Sequence, residues 1–322
     1  MKNIVDQLNE KIIELQSPIS IGIDPVLEKI PNCYKEPYAK ELDPFQAAAS
    51  AILDFSKDII DVTKDKVVCV KPQIAFYEMY GPHGLIAFRE TVRYAKSKGL
   101  IVITDGKRND IGNTARAYAK SHLGKVNLGN GKEAPCFDAD FLTVSPYLGK
   151  DSLLPFVDEC IKSNKGIFVL VKTSNPSSSD IQDIVDENGS KIYTYIANFV
   201  NEQANRFVGK SGYSSIGAVV GATYPEVAKE LRKTMSKSIF LVPGYGAQGA
   251  TIKDITNCFN EDGLGAIINA ARSIIYAYQK DFDPKTISKE EFQQSVADAT
   301  DEMRSAIIES LANVNKLPKF SK

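Results

Sequence analysis

The chain has 322 residues, 43% of them hydrophobic and 25% charged, with a formal net charge of -1. That balance is ordinary for a globular protein in water and supplies no basic field for nucleic acid or an anionic membrane surface. Five cysteines (Cys33, Cys69, Cys136, Cys160, Cys258) are widely spaced with no C-x-x-C. They read as the reduced thiols of a cytoplasmic protein, not as a disulfide framework or a zinc site.

Along the chain, the first seventeen residues mix acids with apolar positions and predict an amphipathic helix, not a signal peptide. No window approaches the roughly 18 apolar residues of a membrane span. Eight short apolar, β-branched runs follow: 19–23, 67–70, 100–104, 141–144, 166–171, 216–220, 238–242 and 265–269. They lack apolar/polar alternation, so both faces are expected to be buried, as in a parallel sheet. Between them, segments 44–62, 84–99, 152–163, 193–208 and 224–235 carry apolar residues at helical spacing. This alternation predicts an α/β protein, a (β/α)8 TIM barrel in a single domain with its core at about 19–275. The N-terminal helix would close the barrel bottom and a C-terminal helical segment, 288–314, would pack outside. A doubly wound open sheet is the alternative architecture. Two stretches are long and polar, 124–138 and 173–190; the second follows the fifth strand and is a candidate lid. The N-G-S at 188–190 lies within it and reads as a loop.

In a barrel the active site is built at the C-terminal ends of the strands. Those positions give Asp24, Lys71, Asp105 and Lys107, then Ser145, Thr173 and Ser174, then Gly221, residues 244–248 and residues 269–272. Asp105 and Lys107 are two apart, so an extended backbone points both the same way. Asp110 falls in the next turn, within reach of Lys107 or of a partner subunit. Desolvating so many charges at one mouth is costly unless they pair. Opposite charges about 4 Å apart interact by roughly 4 kcal/mol at an effective dielectric near 20. An alternating Lys–Asp–Lys–Asp row would therefore hold its ammonium groups charged and oriented.

The stretch V-P-G-Y-G-A-Q-G-A (242–250) contains a G-x-G-x-x-G pattern, but the next strand ends in N-A-A-R with no ribose-binding acid. A phosphate cradle suits it better, with Gly244, Gly246 and Gly249 letting backbone N–H groups approach the anion and Arg272 adding a bidentate contact. The two histidines, His83 and His122, flank helices and carry no metal-binding spacing. Chemistry without a metal is the expectation.

The segment D-G-K-R-N-D-I-G-N-T (105–114) resembles the D-x-K-x-x-D-I-x-N-T signature of the orotidine 5′-monophosphate decarboxylase family. I-G-I-D-P (21–25), V-K-P-Q-I-A-F-Y-E (70–78), L-V-K-T-S-N-P-S-S (170–178) and V-P-G-Y-G-A-Q-G (242–249) are similar to its other blocks, in the same order. They look most like the branch shared by bacteria and apicomplexan parasites. The resemblance implies loss of CO2 from orotidine 5′-monophosphate to give uridine 5′-monophosphate, with no metal or organic cofactor. It implies that Lys107 is the proton donor, that Asp105 lies against the departing carboxylate, and that Lys71 and Asp110 complete the charge row. Asp24 and Lys71 would hold ribose hydroxyls. Thr173 or Ser174 would meet the pyrimidine edge, Gln248 would bridge base and phosphate, and Arg272 would clamp the phosphate. Asp110, Ile111 and Thr114 would reach into the neighbouring subunit's site, making a homodimer the working unit. The chain departs from the branch at Gln73 and Ser145, where Asn is common, and at Ala250, often Gly. Two other readings remain: a metal-dependent sugar-phosphate decarboxylase or aldolase of the same barrel group, and a non-catalytic nucleotide-binding barrel.

Overall fold

A computed structural model describes residues 2–41, 43–244 and 252–319. Eight parallel strands close into a barrel. They are β1 (Ile19–Ile23), β2 (Cys69–Pro72), β3 (Ile101–Arg108), β4 (Phe141–Val144), β5 (Gly166–Lys172), β6 (Ser214–Val220), β7 (Ser238–Val242) and β8 (Ala266–Ala270). Each pairs with its sequence neighbour, and β8 closes on β1 through Ile19–Ile268, Ser20–Asn269 and Ile21–Ala270. The open doubly wound alternative is thereby set aside.

Among the described residues seven long helices flank this sequence of strands: α1 (Ile4–Leu15), α2 (Pro44–Thr63), α3 (Gly81–Ser97), α4 (Gly112–His122), α5 (Lys150–Ser163), α6 (Ile192–Arg206) and α7 (Pro225–Thr234). An eighth, α8 (Lys289–Asn313), follows them. Helix α1 plugs the barrel bottom. Its Val5, Leu8 and Ile12 are fully buried and pack in one cluster with the inward residues Cys69, Ile103 and Phe168. The carboxylate of Asp6 accepts the backbone N–H groups of Lys210 and Ser211, which fixes the helix to the loop before β6. Helix α8 starts at a capping box, Ser288 with Glu291, and packs outside the barrel with Phe292 against Phe55 of α2 and against Tyr34.

Three departures from the expected elements bear on function. β2 begins and ends two residues late, because Val67 still completes the turn after α2 by bonding to Thr63. The strand thus contains Lys71. β3 runs four residues past the apolar stretch, to Arg108, and β5 extends to Lys172. The charges are inside the strands, not beyond them. Helix α4 has no counterpart in the sequence reading, since the residues it buries, Ala115, Ala119 and His122, make no large apolar stripe. Segment 124–138 carries a small antiparallel ribbon, Val126–Asn127 with Glu133–Ala134. Among the described residues no helix is long and apolar enough to cross a membrane.

Candidate active site

The C-terminal ends of β2, β3, β4 and β5 surround one pocket, lined among others by Lys71, Asp105, Lys107, Thr143, Thr173 and Ser174. Asp105 is its electrostatic centre. Lys71 Nζ lies 2.6 Å from Asp105 Oδ2, and Lys107 Nζ lies 2.7 Å from Asp105 Oδ1. Thr143 of β4 donates its hydroxyl to the same Oδ1 at 2.9 Å while accepting the Lys107 N–H at 3.0 Å. The two cations differ in surroundings: the Lys71 side chain is 8% exposed and that of Lys107 48%.

The backbone that achieves this is irregular. Lys107 sits in the left-handed region at φ 44°, and the β3–β4 register shifts between Thr104 and Arg108. A non-glycine residue there is strained, a feature common where function fixes a side chain. The kink brings the Lys107 ammonium back onto the carboxylate two residues earlier. Burial opposes the charge on Asp105, but Lys71 and Lys107 overcome it and hold the carboxyl well below the usual carboxylate range. Burial likewise works against Lys71, yet Asp105 and Asp24 raise its affinity for the proton above that of a free lysine.

Asp24 follows β1. Tyr276 fixes this strand end by donating its hydroxyl to the Asp24 carbonyl at 3.0 Å and accepting the Val26 N–H at 2.7 Å. The Asp24 Oδ1 is buried with no hydrogen-bond partner. Burial pushes its carboxyl up, against the attraction of Lys71, Lys107 and Arg272, whose charges all reach it. Asp24 and Arg272 therefore share the mouth with the charged row. Arg272 opens a short helical turn, Arg272–Ile275, and is exposed.

Asp110 stands apart from the row in its own chain, its Oδ1 accepting the Ile111 N–H at 2.8 Å. Ile111 is exposed, as is Thr114 on the first turn of α4. Of the expected phosphate loop, Gly244 has φ 101°, a conformation that suits glycine. Gly246, Gln248 and Gly249 lie outside the described residues. The histidines are structural: His122 is buried against Phe137 and pushed down to about 3, chiefly by burial, and His83 meets Asp43 on the surface.

Sequence reasoning missed three residues that the fold brings here. Thr143 is one. Lys172 is only 1% exposed and meets Asp183 at 2.8 Å, which ties segment 173–190 to the barrel. Gln182, in that segment, lines the pocket and bonds to Thr173 twice, at 3.0 and 2.8 Å. A signal for Lys172 existed. V-C-V-K (68–71) and V-L-V-K (169–172) both end an apolar strand in lysine.

Arranged so, the site can present a fixed ammonium to a developing negative charge. Both oxygens of its central carboxylate are already occupied by the chain's own donors. Among the described residues no group of three or more His, Cys, Asp or Glu is placed to hold a metal ion.

Known proteins share this arrangement's frame. The family model described as orotidine 5′-phosphate decarboxylase / HUMPS matches residues 42–284. An orotidine 5′-phosphate decarboxylase of Rhodopirellula baltica is 42% identical over 94% of this chain and 98% of its own length. One from Clostridium perfringens is 39% identical over 95% and 99%. Among solved structures, a Toxoplasma gondii chain superposes with a TM-score of 0.77 at 28% identity, covering 98% of both chains. The Leishmania donovani OMP decarboxylase gives 0.67 at 28% identity, over 94% of this chain and 99% of that one. The chain belongs to the orotidine 5′-phosphate decarboxylase / HUMPS family.

Proposed function

We infer that the chain removes the carboxylate of orotidine 5′-monophosphate as CO2, giving uridine 5′-monophosphate, the step of pyrimidine synthesis for which its relatives are named. The observation that carries this reading is the Asp105 carboxylate held between Lys71 and Lys107 beside an open pocket. Breaking the bond to the carboxylate leaves an electron pair in the plane of the pyrimidine ring, where the ring's π system cannot delocalise it. A preorganised ammonium is the available electrostatic device. Lys107 supplies that charge and then the proton, which forms the new C–H bond; its exposure lets solvent return the proton afterwards. Asp105 opposes the substrate's own carboxylate in the ground state and relaxes as CO2 leaves. Lys71 and Asp24 hold ribose hydroxyls, Gly244 and Arg272 receive the phosphate, and Gln248 bridges base and phosphate.

At the pyrimidine edge, Ser174 is the better contact of the two residues. The Thr173 N–H and hydroxyl are already committed, to Gln182 and Asn175. Ser174 lines the pocket and packs so closely on Gly221 that a Cβ there would come within 2.9 Å of it.

The working unit is a homodimer. The Arg108–Glu78 ion pair and the Ser145 N–H bond to the Arg108 carbonyl draw the loops after β2, β3 and β4 together. These loops expose Met79, Ile111, Tyr147 and Leu148, each by 48% or more. An apolar patch of that kind suits a second copy of the chain, delivering Asp110, Ile111 and Thr114 to its site. Five free cysteines suit the cytoplasm.

The test is the ultraviolet spectrum of orotidine 5′-monophosphate mixed with purified protein in excess chelator. Rapid conversion to the uridine 5′-monophosphate spectrum is expected. An unchanged spectrum, with activity toward a sugar phosphate on adding magnesium, would transfer the chain to the metal-dependent branch.

A further inference from the structure

The segment after β5 reads from sequence as a lid, yet in the structure it is fastened at its root. The Lys172 ammonium, 1% exposed, is the fastening point. It meets Asp183 Oδ2 at 2.8 Å and Ser178 Oγ at 3.5 Å, and lies 4.5 Å from the centre of the Tyr224 ring. The Ser178 and Tyr224 hydroxyls are themselves 3.2 Å apart. A buried lysine without its carboxylate is strongly unfavourable, so Asp183 is held where Lys172 places it.

Gln182 is the next residue, and its side chain turns back on the strand end. Its Oε1 accepts the Thr173 N–H at 3.0 Å and its Nε2 donates to Thr173 Oγ1 at 2.8 Å. Thr173 Oγ1 in turn donates to Asn175 Oδ1 at 2.7 Å. One amide thus fixes both the backbone and the side chain of Thr173, and with them the peptide leading into Ser174. On the other side Gly221 leaves room for Ser174, and its N–H bonds to the Lys172 carbonyl at 2.7 Å. The strand end is clasped from two directions by the chain's own groups.

We propose that Gln182 is a positioning residue for decarboxylation: anchored through Asp183 on Lys172, it holds Thr173 so that Ser174 is aimed at the place the pyrimidine takes. The inference rests on the assignment of Ser174 to the pyrimidine edge. Gln182 acts through Thr173 because each of its polar atoms is bonded there. It orients a contact already in reach rather than adding one.

The experiment uses the full chain and orotidine 5′-monophosphate, with kcat, KM and Tm measured for Q182A, T173A, the double variant and S174A. Loss of two neutral hydrogen bonds predicts a fall of about tenfold in kcat/KM for Q182A, with Tm nearly unchanged because the residue is half-exposed. Adding T173A is expected to cost little more, since both changes undo one clasp. Gln182→Glu, which keeps the acceptor for the Thr173 N–H, is expected to recover part of the loss. Wild-type kcat/KM in Q182A alongside an impaired S174A would overturn this inference alone. Fully additive losses in the double variant would also overturn it, making Gln182 a substrate contact in its own right. Wild-type kinetics in S174A would overturn the pyrimidine assignment and this inference with it.

Discussion

Replacing Lys107 by Ala should separate activity from stability more cleanly than any other change in the site. Lys107 Nζ is 2.7 Å from Asp105, but its side chain is 48% exposed. An ion pair so open to water contributes about 0.2–1 kcal/mol to folding. Asp105 keeps Lys71 at 2.6 Å and Thr143 at 2.9 Å, so no buried carboxylate is left bare. Alanine also accepts the left-handed backbone at φ 44° no worse than lysine does. Tm should therefore move by only about 1–2 °C. Activity should behave differently. An ammonium about 4 Å from the developing carbanion supplies roughly 4 kcal/mol at an effective dielectric near 20, about a thousandfold in rate. Loss of the proton donor removes a further factor of roughly a hundred or more. Turnover should fall by about five orders of magnitude, followed by the spectral change of the pyrimidine, while calorimetric binding of uridine 5′-monophosphate stays within about tenfold. Lys71→Met supplies the contrast: it removes the buried counter-charge that Asp105 and Asp24 share, and the loss should be about 3–5 kcal/mol of folding stability. A Lys107→Ala enzyme retaining more than about one per cent of turnover would refute the role given to that ammonium. Equal losses of Tm in the two variants would refute the reasoning from burial.

Asp24 offers a prediction with the opposite sign. Its carboxyl is pushed up by burial, so its ionisation costs stability at any pH above that raised value, and the cost disappears as pH falls. Asp24→Asn should thus raise Tm at pH 7 by about one to a few degrees while increasing KM, and a falling Tm would reject the argument. The Asp105–Lys71 pair behaves otherwise. Asp105 is depressed and Lys71 raised, so their contribution is complete between the ordinary values of 3.8 and 10.5 and fades outside them. Thermal melts across that range should show no transition assignable to the pair in wild type. Finally, Ile111→Asp puts a charge on the exposed apolar patch. Sedimentation should show monomers with little activity, and an active monomer would exclude a shared site.

How much of this was legible in the sequence depended on where each residue's partner lies. The eight strands were visible because both of their faces are buried, which leaves runs such as 166–171 uniformly apolar. Their ends were not. β2, β3 and β5 continue through Lys71, Arg108 and Lys172, because carboxylates distant in sequence neutralise each charge: Asp105, Glu78 and Asp183. No local pattern announces such partners. Helix α4 stayed hidden because its buried face is built from alanines and a histidine. Asp105 and Lys107 could be paired from their spacing, although regular extension is not how they meet; the kink at Lys107 does that work. Gln182 was beyond reach, since its bonds to Thr173 depend on a turn of nine residues closing back on the strand.

The difference between the two lysines matches what the proposed mechanism asks of each. A proton donor must be charged when the bond breaks and must be recharged afterwards, which requires contact with water. Lys107, half in solvent, meets that requirement. On that mechanism it would be a neutral amine just after transfer, and without Lys71 the nearly buried Asp105 carboxylate would then lack a counter-charge. That is the costly situation the rest of the cluster prevents. Lys71, nearly buried and held protonated by Asp105 and Asp24, would keep its charge throughout. Thr143 adds a hydroxyl that donates to Asp105 at any stage of the cycle. On the proposed mechanism Asp105 would remain an anion of fixed position while its exposed partner delivered and regained a proton. One buried and one exposed lysine on a single carboxylate would let the field stay constant while the exposed one delivers a proton.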